Sequence, residues 1–327
     1  MKKIFVNLIS CFIFKKKNRH HFRKKYLKNK KMELKNLCYE IKELNEKINY
    51  IENLIKSTTD ITKLPPAKGL FRTVQLLNLD ILIEIDAICR KHNISYWLDF
   101  GTLLGSVRHK GFIPWDDDVD VAMLYDDYIK FQEVIQKEEK NFIFKKIPSH
   151  IGKCLHKKFV PQTEREWIAF FNWEKQDKLY FANDIFPYYY LNDGITSEKA
   201  KEIISIIYSN KIKSYKKNEL SLKGFVNVEN EMNEEQKKLI SHQKCKNIFL
   251  GTETINSKPI VFDINDIFPL IELNFEGHNF FVPNKYKKIL YDYYGDYYVP
   301  EIYNSHLSFS ELNTNDLENL CSYNEKK

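Results

Sequence analysis

The stretch Tyr96–Leu124, YWLDFGTLLGSVRHKGFIPWDDDVDVAML, constrains what this chain can fold into more than any other. Ile94 to Phe100 is apolar and aromatic and reads as a buried strand. Gly101-Thr102 breaks it, and Leu103-Leu104 opens a short helix. Arg108-His109-Lys110 is a compact basic cluster, and Asp116-Asp117-Asp118-Val119-Asp120-Val121 alternates acids with β-branched residues. Strand side chains at i and i+2 share a face. Asp118 and Asp120 therefore project together, with Val119 and Val121 packed behind them. Two carboxylates on one face repel unless a cation lies between them. Hard oxygen ligands on a rigid strand suit Mg2+ or Mn2+, which also bind phosphate oxygens. A helix opening just after Gly101-Thr102 offers free N–H groups to an anion. A metal on one side and an anion-binding turn on the other describe a phosphoryl-transfer site. A bare Asp-x-Asp is more often a solvated loop; here Ile113-Pro114-Trp115 and the two valines hold the acids in apolar surroundings.

The segment resembles the LicD family, which includes the fukutin-related proteins. The family pattern is a strand, then G-[GST]-x-L-G-x-x-R-H, a spacer, and I-P-W-D-x-D-[VI]-D. Gly101, Thr102, Leu104, Gly105, Arg108, His109, Ile113, Pro114, Trp115, Asp116, Asp118, Val119 and Asp120 fill it without a gap. The resemblance implies an α+β fold, a nucleotidyltransferase-like mixed sheet flanked by helices. It also implies transfer of a phospho-alcohol, such as phosphocholine or a polyol phosphate, from a CDP-linked donor to a glycan hydroxyl, with release of CMP. The third carboxylate of that fold falls to Asp184, in Asp184-Ile185-Phe186-Pro187; Asp266-Ile267-Phe268-Pro269 repeats the element and makes Asp266 a rival.

Net charge is +7 over 327 residues, but residues 1–31 hold 12 Lys/Arg and no acid, leaving −5 for the rest. The basic charge is a tail, not a property of the domain. The apolar run Ile4–Phe14, flanked by lysines, is too short to span a bilayer, which takes roughly 20 apolar residues. It suits a segment lying on the anionic inner face of the cell membrane, so the expected location is cytoplasmic and peripheral. Residues 32–57 form a coiled-coil helix, with Leu34, Ile41, Ile48 and Ile55 at a and Leu37, Leu44 and Ile51 at d. That pattern leans towards a parallel homodimer. Six scattered cysteines without a Cys-x-x-Cys pair point to a reducing compartment and away from zinc.

A linker at 58–68 containing Pro65-Pro66 leads into a transferase domain at 69–302, followed by a polar tail at 303–327. Phe71–His92 reads as a helix with Val74, Leu77, Ile81, Ile85 and Ile88 on one face. A second helix runs from Asp126 to about Lys140. Strands are expected at 142–147, 153–160, 167–173 and 179–190, and a helical pattern over 197–250. A hairpin turns at Glu276-Gly277-His278-Asn279. Pro283-Asn284 caps a last helix ended by Gly295.

In the expected mechanism Asp118, Asp120 and Asp184 are catalytic, and Asp116, Asp118 and Asp120 ligate Mg2+ or Mn2+. Gly101, Thr102, Arg108 and His109 hold donor phosphate, and Asp117 stays on the surface. The partners are a CDP-linked alcohol and a glycan acceptor, not nucleic acid. Two rival enzymes share these acids: a nucleotidyltransferase using an NTP, and an Asp-x-Asp glycosyltransferase. A non-enzymatic scaffold gives no reason for the acids to align with the basic cluster.

Overall fold

A long run of lysines, glutamates and aliphatics without Pro or Gly favours helix over its whole length. The computed structural model, which describes residues 16–146, 152–163, 181–217, 234–252 and 258–299, carries there a 43-residue helix, α1 (Lys16–Thr58). The helix expected over 32–57 is thus continuous with the end of the basic segment, because nothing between 16 and 32 breaks a helix. It ends where Ser57 and Thr58 turn their hydroxyls back onto the Leu54 carbonyl, 3.1 and 2.6 Å away. The run Ile4–Phe14, the expected strand at 167–173 and the tail at 303–327 lie outside the described residues. Among the described residues no helix is long and apolar enough to cross a membrane.

The chain divides into two compact units, one holding α1 and the other beginning at Asp60 and running through Val299. In the second, α2 (Gly69–His92) buries Val74, Leu77, Ile81, Ile85 and Ile88, the face read from the sequence. The elements that follow are β1 (Trp97–Leu98), α3 (Phe100–Arg108), β2 (Val119–Leu124), α4 (Tyr125–Ile135), β3 (Phe142–Lys146), β4 (Gly152–His156) and β5 (Ala182–Tyr190). Then come α5 (Ser197–Lys217), β6 (Asn247–Leu250), β7 (Val261–Asp263), α6 (Ile264–Ile267), β8 (Ile271–Phe275), β9 (His278–Val282) and α7 (Tyr286–Tyr294). The fold is α+β, a mixed sheet flanked by helices.

Strand β5 is the hub of a seven-stranded sheet ordered β1-β2-β5-β4-β3. One edge of β5 runs parallel to β2; the other is shared by β4, antiparallel to its first half, and β6, antiparallel to its end. The register sets Asp120 opposite Asp184 and Asp184 opposite Lys153. Registered neighbours share a face, so Asp120, Asp184 and Lys153 form one row across three strands.

Several boundaries differ from expectation. β1 keeps only two residues, since Asp99 caps α3 and the helix starts at Phe100, three residues early. Asn247–Leu250 is strand rather than helix, claimed by pairing with β5 and β7. α7 starts after Lys285, which makes no side-chain cap, whereas Gly295 closes it with φ +69°, as a C-terminal glycine does. The hairpin β8–β9 turns on Glu276-Gly277, both with positive φ, the two-residue connection that matches strand twist.

Candidate active site

The acidic loop between α3 and β2 is held from behind by α2. Buried Gln75 donates from Nε2 to the carbonyls of Ile113 (3.1 Å) and Asp116 (2.8 Å). Asn78 donates to the carbonyl of Asp117 (2.7 Å), and Asn183 on β5 donates to the carbonyl of Asn78 (3.0 Å). From the other side, the hairpin glutamate Glu276 accepts from Arg72 at 2.9 Å and from the Phe112 N–H at 3.0 Å. A Cβ on Gly111 would lie 2.4 Å from Glu276 Oε1, so a larger residue there would displace the Glu276 carboxylate from its bonds to Arg72 and Phe112.

Fixed this way, Asp116, Asp117 and Asp118 each bring a carboxylate oxygen within 4.8 Å of the others. Asp117, expected on the surface, is half-buried, because Asn78 draws its backbone against α2. Asp120 sits deeper, 8 % exposed and in register with Asp184. Burial, then the charge of Asp118, pushes the carboxyls of Asp116 and Asp120 well above the usual range; Asp184 adds to the effect on Asp120. So many carboxylates in so little water cannot all ionise without a cation. The three converging acids are hard oxygen donors, the set that suits Mg2+ or Mn2+.

Gly101 lies against these acids. A Cβ there would meet Asp116 Oδ2 at 2.6 Å. The preceding Phe100 holds φ +39°, an uncommon conformation outside glycine, with its ring packed between Phe186 and Tyr293 at 4.9 Å from each. The first N–H groups of α3, expected to meet a phosphate, meet carboxylates instead. Phe100 N donates to Asp99 and Gly101 N to Asp120 Oδ2, 3.2 Å away. Thr102 Oγ1 accepts the Asp120 N–H at 2.8 Å, so Thr102 positions Asp120 directly.

Arg108 and His109 of the basic cluster each reach a backbone carbonyl. Arg108 donates to the Tyr297 carbonyl (2.9 Å) and lies 6.0 Å from the Trp115 ring. His109 donates from Nε2 to the Ile61 carbonyl at 3.0 Å. Burial, then Arg108, lowers the His109 pKa to about 4, so it is neutral at physiological pH and buttresses the entry turn. Asp266, the rival third carboxylate, lies on α6 and is held by Lys285 (2.7 Å) and Lys288 (2.8 Å). Burial alone would raise its pKa; the two lysines bring it below the usual value. The register brings Asp184, not Asp266, beside Asp120.

Two charged residues at this site escaped the sequence reading. Lys153, buried on β4, is ion-paired with Asp184. Asp99 is fully buried and accepts from the hydroxyls of Tyr188 and Tyr293, each 2.8 Å away; burial raises it to about 6 despite them. A charged residue inside an apolar run, as in Trp97-Leu98-Asp99-Phe100 and Gly152-Lys153-Cys154-Leu155, was the available signal.

Comparison with known proteins agrees with this geometry. The family model described as LicD/FKTN/FKRP, nucleotidyltransferase domain, matches residues 93–220, which include the acidic loop, β2 and β5. The chain is 30% identical over 248 residues to the lipopolysaccharide cholinephosphotransferase LicD of Haemophilus influenzae, covering 69% of this chain and 90% of that protein. The chain belongs to the LicD family. An uncharacterised protein of Rickettsia typhi is 36% identical over 111 residues, 33% of this chain and 36% of its own. The human ribitol 5-phosphate transferase FKRP is 36% identical over 59 residues, 16% of this chain and 12% of its own. LicD-family membership makes the protein a transferase.

Proposed function

We propose that this LicD-family protein moves a phospho-alcohol, phosphocholine or a polyol phosphate, from a CDP-linked donor to a hydroxyl of a cell-surface glycan. The convergence of Asp116, Asp117 and Asp118 beside the registered pair Asp120–Asp184 carries this reading. Asp116 and Asp118 would hold a Mg2+ or Mn2+ ion, with Asp117 or Asp120 completing the set. When bound, the ion supplies neutralisation of charge on the donor's phosphates and on the departing CMP. Asp184, paired with Lys153, would orient the attacking hydroxyl and receive its proton. The new bond joins acceptor oxygen to the alcohol-bearing phosphorus; the bond to CMP breaks. Thr102 and Gly101 keep Asp120 in place, and Gln75 and Asn78 keep the loop from shifting as charge redistributes. Incubating the protein with CDP-linked alcohols, a glycan and Mg2+ should release CMP, and EDTA should stop it. Pyrophosphate from an NTP in place of CMP would make the protein a nucleotidyltransferase instead.

We also propose that α1 pairs two copies. Leu34, Leu37, Ile41, Leu44, Ile48 and Ile51, all at a or d, are 44–59 % exposed. Such a seam leaves its knobs in water unless a second helix supplies the holes. Replacing Ile41 and Ile48 with Asp should reduce the mass seen by light scattering to that of one chain. A wild type that is already monomeric would dismiss the pairing.

A further inference from the structure

A cleft of about 450 Å3 opens beside Phe100, the first residue of α3. One part of its lining is aromatic: Phe100, Phe262, Tyr293 and Tyr294. Tyr293 stacks on Phe100 at 4.9 Å and meets Phe262 at 5.6 Å and Tyr294 at 5.7 Å, so these rings form one continuous wall. That wall backs onto the acids. Tyr293 donates to Asp99, and Tyr294 lies near enough to Asp120, Asp99, Asp116 and Asp118 that their charges, after burial, raise its phenol pKa. The Tyr294 hydroxyl makes no hydrogen bond among the described residues.

The rest of the lining combines the apolar Pro259, Ile260 and Val261 with Ser197, Asp292 and three lysines. Lys288 is already shared between Asp266 and Asp292. Lys201 and Lys258 have no side-chain partner among the described residues. Nearby surface lysines differ from these two: Lys199 pairs with Glu202, Lys237 with Glu234 and Lys238 with Glu235. Ser197, the first residue of the 21-residue α5, adds its hydroxyl and the positive end of the helix dipole to the same cleft. Two unpaired cations and a helix start, next to a wall of rings, favour an anion attached to something flat.

We propose that this cleft binds an organic phosphate, with its ring on Phe262, Tyr293 and Tyr294 and its phosphate on Lys201 and Lys258. The proposal rests on the transferase function above and names a substrate class for it. The volume matches a small-molecule site. Lysine serves here as a point charge, with no bidentate geometry to satisfy. Two substrates of such a transferase present this chemistry: the nucleotide half of the donor, and a phosphorylated sugar of the acceptor. Tyr294 stands between the cleft and the acids, where either would be next to the reacting phosphorus.

Calorimetric titration of the full chain with CMP, glucose 1-phosphate and inorganic phosphate tests this without turnover. Lys201→Glu with Lys258→Glu should weaken at least one of the two organic phosphates tenfold or more, and the loss should shrink in high salt. Lys199→Glu, two residues away on α5 but paired with Glu202, should leave binding unchanged. All three sites are exposed, so the variants should melt with the wild type. Weakened CMP binding assigns the cleft to the donor; weakened sugar-phosphate binding alone assigns it to the acceptor. Unchanged affinity for both, or an equal loss in Lys199→Glu, overturns the proposal. A chain that binds through these lysines yet releases no CMP from any CDP-linked donor keeps the cleft and loses the transferase assignment.

Discussion

Asp120→Asn is expected to remove turnover while leaving the fold intact. Asparagine preserves the side-chain shape, and its carbonyl can still accept the Gly101 N–H. The backbone bond to Thr102 is untouched. One charge leaves a buried cluster in which Asp116, Asp118 and Asp184 all oppose ionisation at this position, so the melting temperature should hold or rise. The transition state loses more than the ground state gains, because preorganised charge acts on the phosphate oxygens as the leaving group departs. A loss of about 100-fold to 1,000-fold in kcat is the scale for removing one such group. Asp266→Asn should do the reverse. That carboxylate is 4 % exposed and serves Lys285 and Lys288, away from the Asp120–Asp184 row. Its pKa lies below the ordinary 3.8, so its contribution is present at neutral pH and disappears only as pH falls through the folded value. Both lysines are about half exposed, which limits the loss at pH 7 to about 1 kcal/mol. Melting curves and CMP release on the two variants separate the roles. Retained activity in Asp120→Asn would remove that carboxylate from the chemistry.

What could be read from the residues was what local pattern determines. The strand that carries Asp120, the buried face of α2, the Glu276-Gly277 turn and the closing Gly295 each depend on neighbours in sequence, whereas Asp118, expected on that strand, lies in the loop before it. The start of α3 was misplaced for an equally local reason: Gly101-Thr102 looks like a break, but Asp99 accepts the Phe100 N–H and begins the helix earlier. Asp117 was placed on the surface because only its own loop was considered, whereas Asn78, 39 positions away, decides where it lies. Gln75, Glu276 and Lys153 were out of reach in the same way. Their roles follow from strand order and helix packing, which bring residues 31 to 204 positions apart into contact. Arg108 and His109 were assigned to phosphate by motif; their partners in the fold, the Tyr297 and Ile61 carbonyls, lie too far along the chain for the motif to indicate.

Lys153 offers the second large effect. Its ammonium and the Asp184 carboxylate are ion-paired with side chains only 10 % and 12 % exposed. Lys153→Met keeps the length and the apolar stem but removes the ammonium that is paired with Asp184, which faces Asp120. Breaking a buried pair from one side costs about 3–5 kcal/mol, since the remaining charge is desolvated and uncompensated. Adding Asp184→Asn should recover most of that loss, because a neutral pair leaves no charge stranded. Turnover should stay low in both, as the row that orients the acceptor hydroxyl is broken in each. Added Mg2+ should return part of the stability of the single variant, and more than it gives the wild type, because an ion held by the acids next to Asp184 would offset some of the negative charge that the ammonium no longer does. Urea unfolding with and without Mg2+, set beside CMP release, measures all of this. A single variant as stable as wild type would mean that Asp184 is well hydrated after all. Full activity in Lys153→Met would reduce the lysine to packing and leave Asp184 to act without it.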